Sequence, residues 1–251
     1  MAESPIVSVF SSIQGEGLHL GRPHLFIRLA GCNIRCSYCD TPEGLTIPKY
    51  GRIETRPFGN TFRKCPNPVD GDYLLNAIKR LAARFSHYHA IVLTGGEPLV
   101  HSAFLKSFLR PLRRLRIPVM LETNGTLPEQ LNKVINLVDI ISMDIKTPSD
   151  INGYGKIWAK TRRFLNLANR RNTYIKVVVT DNTNISDCRK AAGIIARVNR
   201  NIPLILQPVS AVRKSIRTPL LTQIIRIHNI FTKELADVKI IPQMHKIAGW
   251  R

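Results

Sequence analysis

The sequence predicts an α/β fold in which a parallel sheet curves into a partial (β/α)6 barrel, a single domain over residues 1–251. Three observations carry that expectation. From Tyr73 onward, short apolar runs alternate with longer segments of helical period, the pattern of βα units around a parallel sheet. Polar and glycine residues gather directly after the apolar runs, where parallel α/β sheets build their sites. About six βα steps can be counted, too few to close an eightfold barrel and suited to an open one.

In chain order, residues 6–10 (IVSVF) read as a strand, followed by Ser12-Ile13-Gln14-Gly15-Glu16-Gly17, whose glycines flanking a glutamate suggest a tight loop. A second strand, residues 25–29 (LFIRL), leads into Gly31 and the cysteine-rich stretch. Residues 40–72 are rich in Pro and Gly and show no period, so they read as a long loop insertion that is functional or partly disordered.

The repeating pattern begins with a helix over 73–85, then a strand over 90–94 ending in Thr94-Gly95-Gly96-Glu97. A helix over 103–115 and a strand over 118–122 follow, the latter running into Thr123-Asn124-Gly125. Next come a helix over 130–137 and an extended segment over 138–143, ending in Ser142-Met143-Asp144-Ile145-Lys146. The remaining units are a helix over 158–169, a β-branched strand over 174–179, a helix over 187–198, a strand over 203–207, a helix over 220–235 and a short extended run over 238–241.

With 44% hydrophobic residues the chain can bury a sizeable core, and no apolar run is long enough to span a membrane. The N-terminus lacks a basic and apolar leader, so a cytoplasmic location and reduced cysteines are expected. A net charge of +20 has two readings: a phosphate-binding surface, or a solvated basic surface. The arginines are dispersed (Arg110, Arg113, Arg114 and Arg116 on one segment, Arg162, Arg163, Arg170 and Arg171 on another), with no recognition motif beside them. That dispersion favours the solvated surface, so nucleic acid is not the expected partner.

Cys32, Cys36 and Cys39 fall in the spacing C-x3-C-x2-C, too crowded for a disulfide framework and suited to metal or redox chemistry. A structural zinc site closes with four ligands, and the next cysteine, Cys65, lies far off without paired spacing. A [4Fe–4S] cluster held by three thiolates would keep one iron open to another ligand. Cys188, on a helix, reads as structural.

The three cysteines with Gly95-Gly96-Glu97 at the end of the following strand resemble the radical S-adenosylmethionine superfamily. The succession of residues 12–17 (SIQGEG), 26–32 (FIRLAGC), 39–41 (CDT), 94–98 (TGGEP), 122–126 (ETNGT) and 242–246 (PQMHK) narrows it, resembling the 7-carboxy-7-deazaguanine synthase family over nearly the whole chain. The resemblance implies that Cys32, Cys36 and Cys39 ligate a [4Fe–4S] cluster. Tyr38, Asp40, Gly96, Glu97, Ser142, Asp144 and Lys146 would contact S-adenosylmethionine. Ile13, Gln14, Gly15, Arg28 and Thr94 would contact a pterin substrate, with the Arg28 fork on its carboxylate. Thr41 would give oxygen to Mg²⁺, a hard cation.

The implied reaction contracts 6-carboxy-5,6,7,8-tetrahydropterin to 7-carboxy-7-deazaguanine with loss of ammonia, a carbon–nitrogen lyase step in deazapurine (queuosine- or archaeosine-type) biosynthesis. The radical chemistry belongs to the cofactor. An electron donor such as flavodoxin or ferredoxin and a homodimer are also implied. The alternatives are another radical S-adenosylmethionine enzyme, such as a glycyl-radical activase, and a basic, metal-stabilised nucleic-acid binder. On local grounds alone Arg28 could pair with Glu16 or Glu122, Glu97 could cap the next helix, Asp144 and Lys146 could form an edge-strand ion pair, and His101 and His245 read as hydrogen-bonded or surface groups.

Overall fold

The structure is a computed structural model that describes residues 2–149, 151, 157–210 and 217–250. Strands β1 (Glu3–Ser4), β2 (Ile6–Ile13) and β3 (Pro23–Leu29) open the chain. Strands β4 (Tyr50–Glu54), β5 (Phe62–Pro66) and β6 (Val69–Asp70) lie in the insertion, and helix α1 (Gly71–Arg84) follows. Five further units run in register with the sequence pattern: β7 (Ala90–Gly95) with α2 (Ser102–Leu112), β8 (Val119–Thr123) with α3 (Pro128–Val134), β9 (Ile140–Asp144) with α4 (Ile157–Ala168), β10 (Asn172–Val179) with α5 (Ile185–Val198), and β11 (Leu204–Pro208) with α6 (Leu221–Thr232). Strand β12 (Val238–Ile240) and helix α7 (Met244–Ala248) end the chain.

The main sheet has ten strands in the order β12-β11-β10-β9-β8-β7-β3-β2-β4-β5. The seven strands from β3 to β12 in that row are parallel. That agrees with the expected α/β fold and its six βα steps, β12 adding a seventh parallel strand. On the other side, β2 pairs antiparallel to β3.

Alternation along the parallel strands divides the core in two. Leu25, Ile27, Leu29, Ile91, Leu93, Val119, Leu121, Ile141, Met143, Ile175, Val177, Leu204 and Leu206 face outward and bury against the helices. The intervening residues face inward. The lower inward layer is apolar (Phe26, Val92, Met120, Ile140, Tyr174, Ile205) and packs as a separate core. Two residues further along each strand the inward layer becomes Arg28, Thr94, Glu122, Ser142, Lys176 and Gln207, all lining one cavity. The same period of two thus makes a barrel floor and then a polar site above it.

The 40–72 segment corrects the expectation of a structureless loop. Strands β4 and β5 form an antiparallel hairpin from Tyr50↔Pro66 to Glu54↔Phe62. β4 joins β2 in parallel through Ser8↔Arg52 and Val9↔Ile53. The hairpin has almost no apolar alternation because its closest packing is made by backbone: a Cβ on Gly51 would come within 2.5 Å of Ile6. Its buried anchor is a charge, Glu54, whose carboxylate accepts from Ser11 N (2.7 Å) and Asn60 N (3.3 Å). Asp70, at the end of the insertion, accepts from the backbone of Asp72 and Tyr73 and so caps α1.

Candidate active site

The three thiols sit on the loop leaving β3, and Cys32, Cys36 and Cys39 all line the cavity above the apolar floor. None is in a disulfide. Ile34, Ile151 and Ile157 form a small apolar cluster against which Cys32 and Cys36 pack, and Cys36 bridges to Ile151. Burial pushes the Cys36 thiol up to about 11. Such a dry triad of soft donors, open on its cavity side, fits a cluster with one free iron and leaves a zinc ion short of its fourth ligand.

Beside the thiols, Lys146 Nζ donates to Asp144 Oδ2 (2.8 Å) and to Tyr38 Oη (3.3 Å), 4.8 Å above the Tyr38 ring. β9 lies inside the sheet, so this pair is buried and not an edge-strand ion pair. Asp144 Oδ1 and Gln207 Oε1 are buried without a hydrogen-bond partner in cavity-lining residues. Burying an acceptor unpaired is costly, so both atoms call for donors from a bound molecule.

Also on the lining, the Arg28 guanidinium lies 5.5 Å from the centre of the Phe10 ring. Its Nη1 donates to Thr41 Oγ1 (2.9 Å) and comes within 4.0 Å of Glu43. Thr41 Oγ1 donates in turn to Asp40 Oδ1 (3.2 Å), which leaves one of its lone pairs free. Gln243 Nε2 bridges Glu16 Oε1 (2.8 Å) and Asp40 Oδ2 (2.9 Å). Glu16, Asp40 and His245 bring ligand atoms within 4.8 Å of one another.

A charge network also lines the cavity. Lys176 is paired with Glu16 and lies 3.7 Å from Asp144. Gln14 Nε2 donates to Glu122 Oε1 (3.0 Å). Burial alone would raise the Glu16 carboxyl; the Lys176 ammonium and the Gln243 hydrogen bond outweigh it and hold the group at about 2. Glu122 goes the other way, pushed up by burial because Lys176 only partly compensates it.

The sequence profile of the Radical SAM superfamily matches residues 26–191. The 7-carboxy-7-deazaguanine synthase of Geobacter sulfurreducens is 42% identical over 96% of this chain and 95% of its own length. The chain belongs to the 7-carboxy-7-deazaguanine synthase family of radical SAM proteins. The family member of Methanothermobacter thermautotrophicus is 35% identical over 100% of this chain and 99% of its own. The fold of QueE from Escherichia coli is similar, with a TM-score of 0.61 at 20% identity, over 97% of this chain and 95% of that one.

Of the residues singled out from the sequence, Ile13, Gln14, Gly15, Arg28, Cys32, Cys36, Tyr38, Cys39, Asp40, Thr41, Thr94, Gly96, Ser142, Asp144 and Lys146 all line this cavity. Arg28 takes Thr41 as its hydrogen-bond partner, not Glu16 or Glu122. Glu97 and Gly96 each have a structural role. Glu97 is fully buried behind the lining, its carboxylate accepting from Leu99 N (3.1 Å), Thr123 Oγ1 (2.8 Å) and Asn124 N (2.7 Å). It caps the turn after β7 and pins the end of β8, so it positions the loop from behind the lining. Gly96 is glycine because a Cβ there would sit 2.0 Å from Gly31 O and 2.5 Å from Gly44 O, so its bareness serves the cysteine loop's backbone.

Glu122 and Gln207 stand among the polar residues that follow the apolar runs, where a site was expected; Lys176 and the site roles of Glu16, Gln243 and His245 were not anticipated. His101 is hydrogen-bonded, its Nε2 donating to Ala30 O (2.7 Å), whereas His245 faces the acidic pair. Lys176 and Gln207 carried a signal: each is the sole polar interruption of an apolar strand, at the height where its neighbours also turn polar. Cys65 is buried in β5 and Cys188 in the outer core. Neither lines the cavity.

Proposed function

We propose that this chain converts 6-carboxy-5,6,7,8-tetrahydropterin to 7-carboxy-7-deazaguanine with loss of ammonia, as a lyase of deazapurine biosynthesis. The observation that carries the reading is one cleft lined both by three bare thiols and by an arginine fork over an aromatic ring. Identity over the full chain to carboxydeazaguanine synthases disfavours a glycyl-radical activase and a nucleic-acid binder.

Cys32, Cys36 and Cys39 would hold the [4Fe–4S] cluster. When bound, cluster and S-adenosylmethionine supply the radical that abstracts a substrate hydrogen. The chain's own residues bind, orient and exclude water. Asp144 Oδ1 and Gln207 Oε1 offer the unpaired acceptors that a cofactor ammonium or a pterin N–H would satisfy. Tyr38, Asp40, Gly96, Ser142 and Lys146 complete the cofactor wall, while Ile13, Gln14, Gly15 and Thr94 shape the substrate side. Arg28 meets the substrate carboxylate, its orientation set by Phe10 and Thr41.

The free lone pair of Thr41, next to the Asp40 carboxylate, suits a hard cation such as Mg²⁺. We assign the working protein to a cytoplasmic homodimer supplied by flavodoxin or ferredoxin; among the described residues no helix is long and apolar enough to cross a membrane. Anaerobic, cluster-reconstituted protein given 6-carboxytetrahydropterin, S-adenosylmethionine, Mg²⁺ and dithionite should release 7-carboxy-7-deazaguanine and ammonia. Fully loaded protein that forms neither would overturn the assignment.

A further inference from the structure

The outer wall beside the cysteine loop is basic and carries an aromatic side chain that no step of the proposed reaction uses. Trp158, at the start of α4, packs on the same Ile34–Ile151–Ile157 cluster as Cys32 and Cys36. It is only half-buried, and Lys190 Nζ of α5 lies 5.5 Å from its ring. Arg162, Arg189 and Lys190 are exposed. Arg35, also exposed, is fixed on the cysteine loop by donating from Nη1 to Cys32 O and Ile34 O, both at 2.9 Å.

Among the described residues, acidic groups are scarce here. Helix α4 has none, and α5 has only Asp187, which sits 3.4 Å from Ser149 N. Arg163 is paired with Glu129 of α3. The acidic groups near the thiols, Asp40 and Asp144, lie instead inside the cleft. The positive charges of this wall therefore face outward, next to the apolar cluster that carries Cys32 and Cys36.

We infer that this face, built from Arg35, the first turns of α4 and the first half of α5, is the docking surface for an acidic one-electron carrier protein. The inference rests on the cluster-binding reading of the three thiols. One electron leaves the reduced carrier, passes by way of Trp158 and the isoleucine cluster to the Cys32/Cys36 end of the loop, and reduces the bound cluster; no proton or bond changes hands. Charge complementarity steers such encounters and acts chiefly on the association rate, so salt should weaken it steeply.

The test uses the reconstituted full chain and compares two reductants, a flavodoxin in its hydroquinone state and dithionite, by stopped-flow bleaching of cluster absorbance. Binding of the oxidised flavodoxin is measured in parallel by calorimetry. The double variant R189E/K190E should raise Kd for flavodoxin and slow its reduction of the cluster by roughly tenfold or more, and flatten the salt dependence. Dithionite reduction should stay as in the unaltered chain. R110E/R114E, which removes the same charge at the far end of α2, serves as the control and should change neither. Equal flavodoxin kinetics and affinity in the two variants would overturn the assignment, as would an equal loss with both reductants. If the unaltered chain makes no deazapurine with dithionite, the reaction reading fails, while cluster bleaching still reports on docking.

Discussion

Replacing Lys176 with Met removes the one ammonium that faces three buried carboxylates, Glu16, Asp144 and Glu122. The side chains of Lys176, Glu16 and Asp144 are only 14%, 17% and 15% exposed, so solvent screens them little. Glu16 is held at about 2 against an ordinary 4.5, a difference on the order of 3 kcal/mol at 1.36 kcal/mol per unit. Its folded value is depressed, so this contribution is present above pH 4.5 and is lost as pH falls towards 2. Breaking a buried pair by removing one partner costs about 3–5 kcal/mol, in line with that figure. Lys176→Met should therefore lower the unfolding free energy by roughly 3 kcal/mol at pH 7, with the gap to the unaltered chain closing as pH falls below 4.5. Urea unfolding of the metal-free protein from pH 7 to 3, followed by circular dichroism, reads both. A gap that stays constant across this range, or no gap at pH 7, would refute the argument.

Other outcomes follow from single contacts. Gly96→Ala sets a Cβ against backbone oxygens that would have to retreat from 2.0 Å to the 3.4 Å of ordinary contact, so the cysteine loop must move; iron and sulfide per chain should fall, and unchanged loading would contradict this. Glu97→Ala leaves three buried donors without an acceptor, at about 1–3 kcal/mol each, and should depress melting temperature and cluster retention together. Arg28→Lys loses the planar fork, and KM for the carboxylated pterin should rise about tenfold or more with S-adenosylmethionine binding unchanged; an equal rise for both ligands would count against the role. Thr41→Ala should abolish the dependence of turnover on added Mg²⁺ and lower the rate. A Mg²⁺ titration indistinguishable from that of the unaltered chain would rule it out as a ligand.

The parallel half of the fold was legible because its signal is local. Residues 90–94, 118–122, 174–179 and 203–207 are short apolar runs, and a strand buried on both faces has no other way to be built. The β4–β5 hairpin was not legible, since Gly51 and the buried Glu54 replace the apolar alternation that marks a strand. Ser12–Gly17 and 242–246 belong to opposite ends of the sequence, and nothing local says that Gln243 reaches both Glu16 and Asp40.

By itself the sequence determined the α/β class, the order of the βα units and the three thiols on one loop, because period and spacing within a few residues fix strands, helices and a ligand triad. Only the tertiary structure decided which polar residues meet. Sheet register sets Lys176 level with Asp144 and Glu122 level with Ser142. The antiparallel turn of β2 brings Glu16 to the same layer, and the chain's last helix closes His245 over it. It also placed Glu97 behind the cavity lining, since whether a glutamate faces a cavity or three backbone and side-chain donors depends on packing between loops far apart in sequence.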